Sequence, residues 1–253
     1  MKYGRILILL TPLAVLVLFE LYFFYQKIFY YSILLAIILI LFTVRRISKN
    51  SEIDKSWWNF SILPACFLFS LSIYSSLLTN NLYIQLLFFV NMVFIYFYLK
   101  SIYYYLIRPE FYKAQTIENL SSYGNFLVIF FFSSASYGLQ SFLNIATALL
   151  IFFILLLLAL VVYQVMWANK IDINLGFIFI LLLCLILVEI AWSISFLPLN
   201  YNVLGMVLAI CYYILIGLTR FYLKGKLDGK IVKLYLFSGF ISIFILLLTS
   251  SWI

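Results

Sequence analysis

Residues 176–200 restrict the fold of this chain more than any other stretch; they read GFIFILLLCLILVEIAWSISFLPLN. The stretch is apolar and long enough to cross a bilayer as one α-helix, because about 20 apolar residues suffice. It also carries a carboxylate, Glu189, which lies about 20 Å along the helix axis from Gly176 and past the middle of a hydrocarbon core of roughly 30 Å. An ionisable side chain at that depth must face protein or water. The stretch therefore predicts a membrane helix with other helices arranged around Glu189.

The composition extends this prediction to the whole chain. Hydrophobic residues make up 67% of the sequence and charged residues 9%, and the mean hydropathy is +1.18. The apolar segments are continuous and do not alternate with polar residues, which favours helices over the strands of an outer-membrane barrel. We therefore expect an all-α, polytopic helical membrane protein that forms a single integral membrane domain over residues 1–253.

Apolar runs recur along the chain and predict about nine transmembrane helices joined by short polar segments. We interpret the first run as an uncleaved span and not as a signal peptide, because it continues without a small-residue cleavage site. The predicted spans are approximately 6–25, 28–44, 59–78, 82–107, 126–142, 145–167, 176–197, 203–222 and 231–252.

The basic residues test this number of spans. If the amino terminus lies inside, every lysine and arginine except Lys27 falls on the inner side, as the positive-inside rule requires. Merging the fifth and sixth spans would place the basic segment 220–233 outside. The distribution predicts an N-in/C-out protein of the cytoplasmic (inner) membrane, with its amino terminus in the cytoplasm. The formal charge of +8 then reflects topology and not a nucleic-acid-binding face, so membrane lipids and no nucleic acid are expected as partners.

Spans three to eight form three helical hairpins that could be repeats of one unit, since duplicated two-helix units are common in membrane bundles. The supporting matches are residues 69–75 with 132–138, a looser echo at 192–196, and residues 97–100 with 221–224. In the register of the first match Asn81 falls on Asn144, and Asn200 follows the third hairpin's echo. Matches this short in so biased a composition also arise by chance.

The predicted outer halves of spans three, five and seven carry small polar side chains. Our hypothesis is that they converge on a polar pocket open to the outer leaflet, with Glu189 at its floor and Glu20 at its rim. The alternative is that the serines allow close helix packing, with their hydroxyls bonded to backbone carbonyls. The candidate ligand-binding residues are Glu189, Trp192, Ser193, Ser134, Ser136, Tyr137, Gln140 and Glu20. Asn91 in span four is expected to form an interhelical hydrogen bond.

Several kinds of chemistry are excluded by the residue types present. The chain has no histidine, and its three cysteines are isolated within apolar runs, so we expect no metal site and no cofactor. Nucleotide-binding and common hydrolase motifs are absent. Asp54, Asp172 and Asp228 all lie outside the predicted spans, which argues against an intramembrane aspartyl protease. A catalytic pair of Glu20 and Glu189 stays open, but the sequence favours a role without catalysis.

Two classes of function remain. The first is a non-catalytic membrane subunit, a scaffold or assembly component that binds a membrane-protein partner. The second is a transporter or lipid-handling protein that uses the outer pocket around Glu189. Residues 178–188 are apolar apart from Cys184, so no polar path leads from Glu189 to the inner side, and the first class is favoured.

Overall fold

The computed structural model describes residues 2–49, 56–171 and 173–250. It is 88% helical, and within these residues it has no strand and nine helices that are long and apolar enough to cross a membrane. The prediction of an all-α chain with nine such helices is confirmed. The helices are α1 (Lys2–Phe24), α2 (Phe29–Lys49), α3 (Trp57–Ser76), α4 (Asn81–Ile107), α5 (Thr116–Leu143), α6 (Thr147–Ala168), α7 (Ile173–Ile194), α8 (Tyr201–Leu223) and α9 (Gly229–Thr249).

Asparagine residues end or begin several of these helices. Asn144 follows α5 with a φ of 50°, a left-handed conformation that asparagine tolerates better than most residues. It separates α5 from α6 at the point where the sequence analysis splits the long apolar run. Asn80 and Asn200 cap α4 and α8, and each side chain accepts a hydrogen bond from a backbone N–H two residues later, at 2.9 Å in both cases.

The predicted hairpin repeat has mixed support in these details. Asn80 and Asn200 both cap the second helix of their hairpins, but the residue matched in the predicted register is Asn81, one position after the cap. In addition, Tyr98 is fully buried whereas its sequence counterpart Tyr222 is 59% exposed, so the second short match does not place equivalent side chains in equivalent surroundings. The repeat stays a prediction.

The chain divides into two compact units, Met1–Gly124 and Asn125–Ile253. In the first unit, α1 and α2 are antiparallel, since Thr11 near the start of α1 bonds to Thr43 near the end of α2 at 2.9 Å. Helices α1 and α3 are parallel, since Tyr22 and Ser75, both near the ends of their helices, are bonded at 2.6 Å. Ser75 already donates to a backbone carbonyl, so the Tyr22 hydroxyl is the donor in this pair.

Aromatic side chains fill the centre of the first unit. Phe19, Tyr22 and Phe88 meet edge to face, with ring centroids 5.2–5.5 Å apart. The buried hydroxyl of Tyr98 donates to the carbonyl of Phe60 at 3.0 Å. These contacts hold α4 against α1 and α3 and leave the helix surfaces on the outside to face lipid.

Tyr112 joins the α4–α5 connection to the first turn of α5, outside the membrane-spanning helices. Its hydroxyl accepts a hydrogen bond from the backbone N–H of Ile117 at 3.2 Å and donates to the carboxylate of Glu118 at 3.3 Å. Burial, with the nearby charge of Glu118, raises the pKa of Tyr112 and outweighs the lowering effect of the Ile117 N–H. This arrangement orders the first turn of α5, which begins at Thr116 and so extends well before the predicted span 126–142.

In the second unit, hydrogen bonds at both ends of α5 fix its antiparallel packing on α6. Asn125 Nδ2 donates to Gln164 Oε1 at 2.6 Å, and Gln140 Nε2 donates to Thr147 Oγ1 at 3.1 Å. Asn125 and Gln164 are both fully buried, and the first of these bonds pairs Asn125 Nδ2 with Gln164 Oε1, which lipid could not do. Asn125 Oδ1 has no partner among the described residues.

Helix α8 approaches α5 most closely at Gly205. A β-carbon built on Gly205 would lie 2.7 Å from the backbone nitrogen and 2.8 Å from the Cα of Ser134. The absence of a side chain therefore lets the two backbones touch. Ser133 Oγ, which donates to the carbonyl of Ile129 in its own helix, also lies 3.3 Å from the Gly205 carbonyl oxygen. Small residues at such crossings are the usual means of packing membrane helices.

Helix α9 packs on α8 through small residues. A β-carbon on Gly217 would lie 2.8 Å from Cζ of Tyr235, and one on Gly239 would lie 2.9 Å from Cγ1 of Ile214. Gly239 is the one buried residue of α9. Most of the other side chains of α9 are exposed, whereas Tyr235 is half-buried against Gly217.

Asn91 in α4 is one of several exceptions to the pairing of buried polar groups among the described residues; the others are single atoms of Ser70, Tyr103, Asn125, Ser134 and Tyr212. Its side chain is fully buried, yet neither Nδ2 nor Oδ1 has a hydrogen-bond partner among the described residues. The interhelical bond expected from the sequence is therefore not formed. An unpaired buried amide costs about 1–3 kcal/mol.

We predict that Gly205→Ala lowers the free energy of unfolding by about 1–3 kcal/mol, because the new methyl group would overlap the backbone of α5. Unfolding in mixed micelles of mild detergent and dodecyl sulfate, followed by tryptophan fluorescence, measures this change. The matched control is Gly229→Ala, where a β-carbon would meet nothing within 4 Å, and it should leave the stability unchanged or slightly higher. Equal effects of the two substitutions would contradict the close approach.

We predict opposite effects for the two buried asparagines. Asn91→Leu should raise the free energy of unfolding by about 1–2 kcal/mol, because it replaces an unpaired amide with an apolar side chain of similar size. Asn125→Leu should lower it by about 1 kcal/mol, because it removes the bond to Gln164. The same micelle titration measures both. A loss of stability in Asn91→Leu would show instead that this amide has a partner.

Candidate functional site

Helix α7 presents Glu189 on an exposed face. The exposed residues recur at intervals of three and four, which places them on one side of the helix. We call this face the α7 stripe; it consists of Ile178, Leu181, Leu182, Leu185, Glu189, Trp192 and Ser193. Its large side chains are 50–68% exposed, so the stripe is an apolar surface with one carboxylate in it.

The opposite face of α7 packs into the second unit. Leu183, Leu187 and Ala191 are at most 2% exposed. The buried hydroxyl of Tyr137 donates to the carbonyl of Ala191 at 2.9 Å, which fixes the rotation of α7 about its own axis. Glu189 therefore lies on the side of α7 that faces away from the core of its unit.

The predicted serines of α5 lie in the core and not with Glu189. Ser134 and Ser136 are buried. Ser136 Oγ donates to the carbonyl of Phe132 at 2.9 Å, as the packing interpretation of these residues expects, and Ser134 lies against Gly205. Tyr137 likewise uses its hydroxyl to bind a neighbouring helix. These three residues stabilise helix contacts, and the structure does not bring the exposed carboxylate of Glu189 to them.

The remaining candidates have different local partners. Gln140 is half-buried and bonded to Thr147 at the α5–α6 turn. Ser193 is exposed, and its hydroxyl donates to the backbone carbonyl of Glu189 at 2.9 Å. Glu20 belongs to the first unit, where its carboxylate accepts a hydrogen bond from Gln85 Nε2 at 3.0 Å. A joint catalytic role of Glu20 and Glu189 stays a prediction.

A polar cleft of about 710 Å³ lies in the first unit, at the end where α1 meets α2 and α3 meets α4. Ser75 and Ser76, two of the small polar residues at the predicted outer end of span three, line it. Its other polar residues, Gln26, Thr79 and Asn81, lie in turns and at a helix start, so the hydropathy of the spans gives no signal for them. The cleft contains no residue of α5 or α7, so it is not the predicted pocket with Glu189 at its floor, which stays a prediction.

The described residues contain no group of three or more histidine, cysteine, aspartate or glutamate residues that could hold a metal ion. Cys66 and Cys184 are buried, and Cys211 is half-buried.

Comparison with known proteins finds no matching family model, no similar curated protein and no similar solved structure. The function must therefore be inferred from the chain's own residues, and the most unusual of these is Glu189, an exposed carboxylate within an apolar span.

We predict that Glu189→Gln leaves the stability of the purified protein unchanged, because the carboxylate is exposed and lies outside the core of its unit. Tyr137→Phe should lower the free energy of unfolding by about 1 kcal/mol, because it removes a buried hydrogen bond to α7. Unfolding in mixed micelles measures both variants. If Glu189→Gln destabilised the isolated chain, the carboxylate would have a structural partner within it.

Proposed function

We propose that this chain is a non-catalytic subunit of an integral membrane complex and binds a second membrane protein through the α7 stripe. The observation that carries the proposal is the exposed carboxylate of Glu189 on an otherwise apolar helix face. A partner helix packed on this face would take the place of lipid around the carboxylate.

The depth of Glu189 makes lipid an unfavourable neighbour. The span runs over Gly176–Ile194, and Glu189 lies about 20 Å from its start and about 8 Å from its end along the helix axis. A charged residue near the centre of a membrane helix costs about 2.5–3.5 kcal/mol on insertion scales. A hydrogen-bond donor or a positive charge on a partner helix would offset that cost.

Charge also indicates what kind of partner fits. A symmetric dimer formed through the stripe would place two Glu189 carboxylates together, and like charges at such distances repel. A different protein with a lysine, an arginine or an amide at the same depth would complement the stripe. We therefore propose a hetero-complex and not a dimer of this chain.

We also propose that the protein lies in the cytoplasmic membrane with its amino terminus inside. In the first unit, Arg45 and Arg46 near the end of α2 and Arg108 after α4 lie at the same end, because α2 and α4 both run antiparallel to α1. In the second unit, Lys224 after α8 reaches Asn169 after α6, with a hydrogen bond of 2.9 Å. Such grouping of basic residues at one end is what the positive-inside rule expects.

The second candidate function, lipid handling or transport, is favoured by the polar cleft around Tyr22 and Ser75. The cleft is large enough for a small ligand. However, Glu189 is not among its lining residues, so this function would not explain the exposed carboxylate. The cleft is compatible with lipid handling or transport but does not require either function.

A photo-cross-linking amino acid at Leu185 tests the proposed interface in the native membrane. Leu185 belongs to the α7 stripe and is 58% exposed, and Phe244 of α9 is a matched control at 53% exposed. We expect position 185 to cross-link to one membrane protein in stoichiometric yield and position 244 to label lipid. Glu189→Lys should weaken the association at least about tenfold, because it places like charges together.

Two further results decide between the candidates. Restoration of the Glu189→Lys complex by an acidic substitution at the cross-linked position of the partner would support the charge pairing. Lipid adducts alone at position 185, or an undiminished complex in Glu189→Lys, would overturn the subunit proposal. A small molecule retained by the wild type and lost in Ser75→Ala would then favour the cleft.

A further inference from the structure

A basic pocket of about 570 Å³ lies in the first unit where α2 ends and α3 begins. Arg45, Arg46 and Lys49 line it, and the guanidinium of Arg45 lies 5.6 Å from the ring centroid of Trp57. The contact with Trp57 orients one of the cations. None of the described residues that line the pocket is acidic.

An apolar groove of about 760 Å³ runs between α1 and α2 next to this pocket. Its lining residues are all apolar; they are Leu10, Leu13, Ala14, Val17, Leu18, Leu35, Ile38, Leu39 and Phe42. Phe42 also lines the basic pocket, so the groove and the pocket adjoin at this residue.

One face of α2 contributes to both features. Leu35, Ile38 and Phe42 follow at intervals of three and four, and the same face continues to Arg45 and Lys49. Leu35 and Phe42 are about 10 Å apart along the axis. The face is therefore apolar over the interior part of the helix and basic where the helix ends.

We propose that this groove and pocket form a binding site for an anionic phospholipid. The phosphate would bind Arg45, Arg46 and Lys49, since guanidinium groups pair well with phosphate oxygens and basic pockets between membrane helices bind anionic headgroups. One acyl chain would lie in the α1–α2 groove below Phe42. Three cations together favour an anionic headgroup over a zwitterionic one, and the adjoining groove favours a lipid over a free anion.

Native mass spectrometry of the full chain in neutral detergent tests the proposal, with phosphatidylglycerol, phosphatidylcholine and inorganic phosphate as probes. We expect one phosphatidylglycerol to bind saturably and more tightly than phosphatidylcholine. Replacing Arg45, Arg46 and Lys49 together with glutamine should weaken phosphatidylglycerol about a hundredfold, since each basic residue contributes roughly a fivefold factor. Equal binding of the two lipids to the wild type would overturn the proposal.

A charge-matched control separates this pocket from the general effect of positive charge. Lys226, Lys230 and Lys233 are exposed in the second unit and do not line the pocket. Their joint replacement with glutamine removes the same charge and should leave phosphatidylglycerol affinity unchanged. An equal loss in both triple variants would show a surface potential and not a site.

A second control separates a lipid from a free anion. Ala14→Phe fills the groove and should weaken phosphatidylglycerol, whereas Leu34→Phe adds the same ring at an exposed position of α2 outside the groove and should have no effect. Strong binding of inorganic phosphate, with no effect of Ala14→Phe, would overturn the assignment of a lipid. Circular dichroism and elution volume confirm that each variant is folded.

Discussion

The structure depends on one property of its solvent: the hydrocarbon core of a bilayer supplies neither hydrogen bonds nor stabilisation of charge. Polar side chains within the helices must therefore find partners in the protein. Ser72, Ser136 and Thr43 each donate to the carbonyl one turn earlier in their own helix. The hydroxyl hydrogen is thus paired without a carbonyl from another helix. Longer polar side chains, such as those of Asn125 and Gln164, instead meet across a helix interface.

Because the hydrocarbon core offers no hydrogen bonds, the side chains without a partner are also informative. Asn91 is buried and has no hydrogen-bond partner among the described residues. This lowers the stability of the fold but leaves no polar group on the surface. Glu189 is exposed on a membrane-spanning helix, so its carboxylate must be accommodated by the lipid or protein that surrounds the chain. The basic residues at the end of α2 are also exposed, but they lie where the helix leaves its apolar run, and their positive charge suits the headgroup layer. Depth in the membrane is therefore what separates the proposed protein interface at Glu189 from the proposed lipid site at the end of α2.

The sequence was sufficient to predict the helices because their signals are local. Apolar runs fix the spans, and Asn80, Asn144 and Asn200 mark turns through backbone conformations and caps that depend on neighbouring residues only. The direction in which Glu189 faces is not a local property. Residues 178–188 are apolar on all sides except at Cys184, so no periodicity shows which face of α7 is buried. That face is set by contacts between residues that are distant in sequence, such as Tyr137 with Ala191. Such contacts cannot be read from the sequence of α7, so they did not enter the hypothesis of a pocket with Glu189 at its floor.

Helix α9 shows what distinguishes Glu189 from an ordinary polar residue on a membrane surface. Ser238 and Ser242 are exposed on α9, and each hydroxyl donates to a carbonyl of its own helix, at 3.1 and 2.8 Å. Ser193 does the same on the α7 stripe. An ionised carboxylate cannot use this solution, because it only accepts hydrogen bonds and the neighbouring carbonyls only accept as well. Glu189 therefore needs a hydrogen-bond donor from outside its own helix, and a partner helix on the α7 stripe would supply that donor.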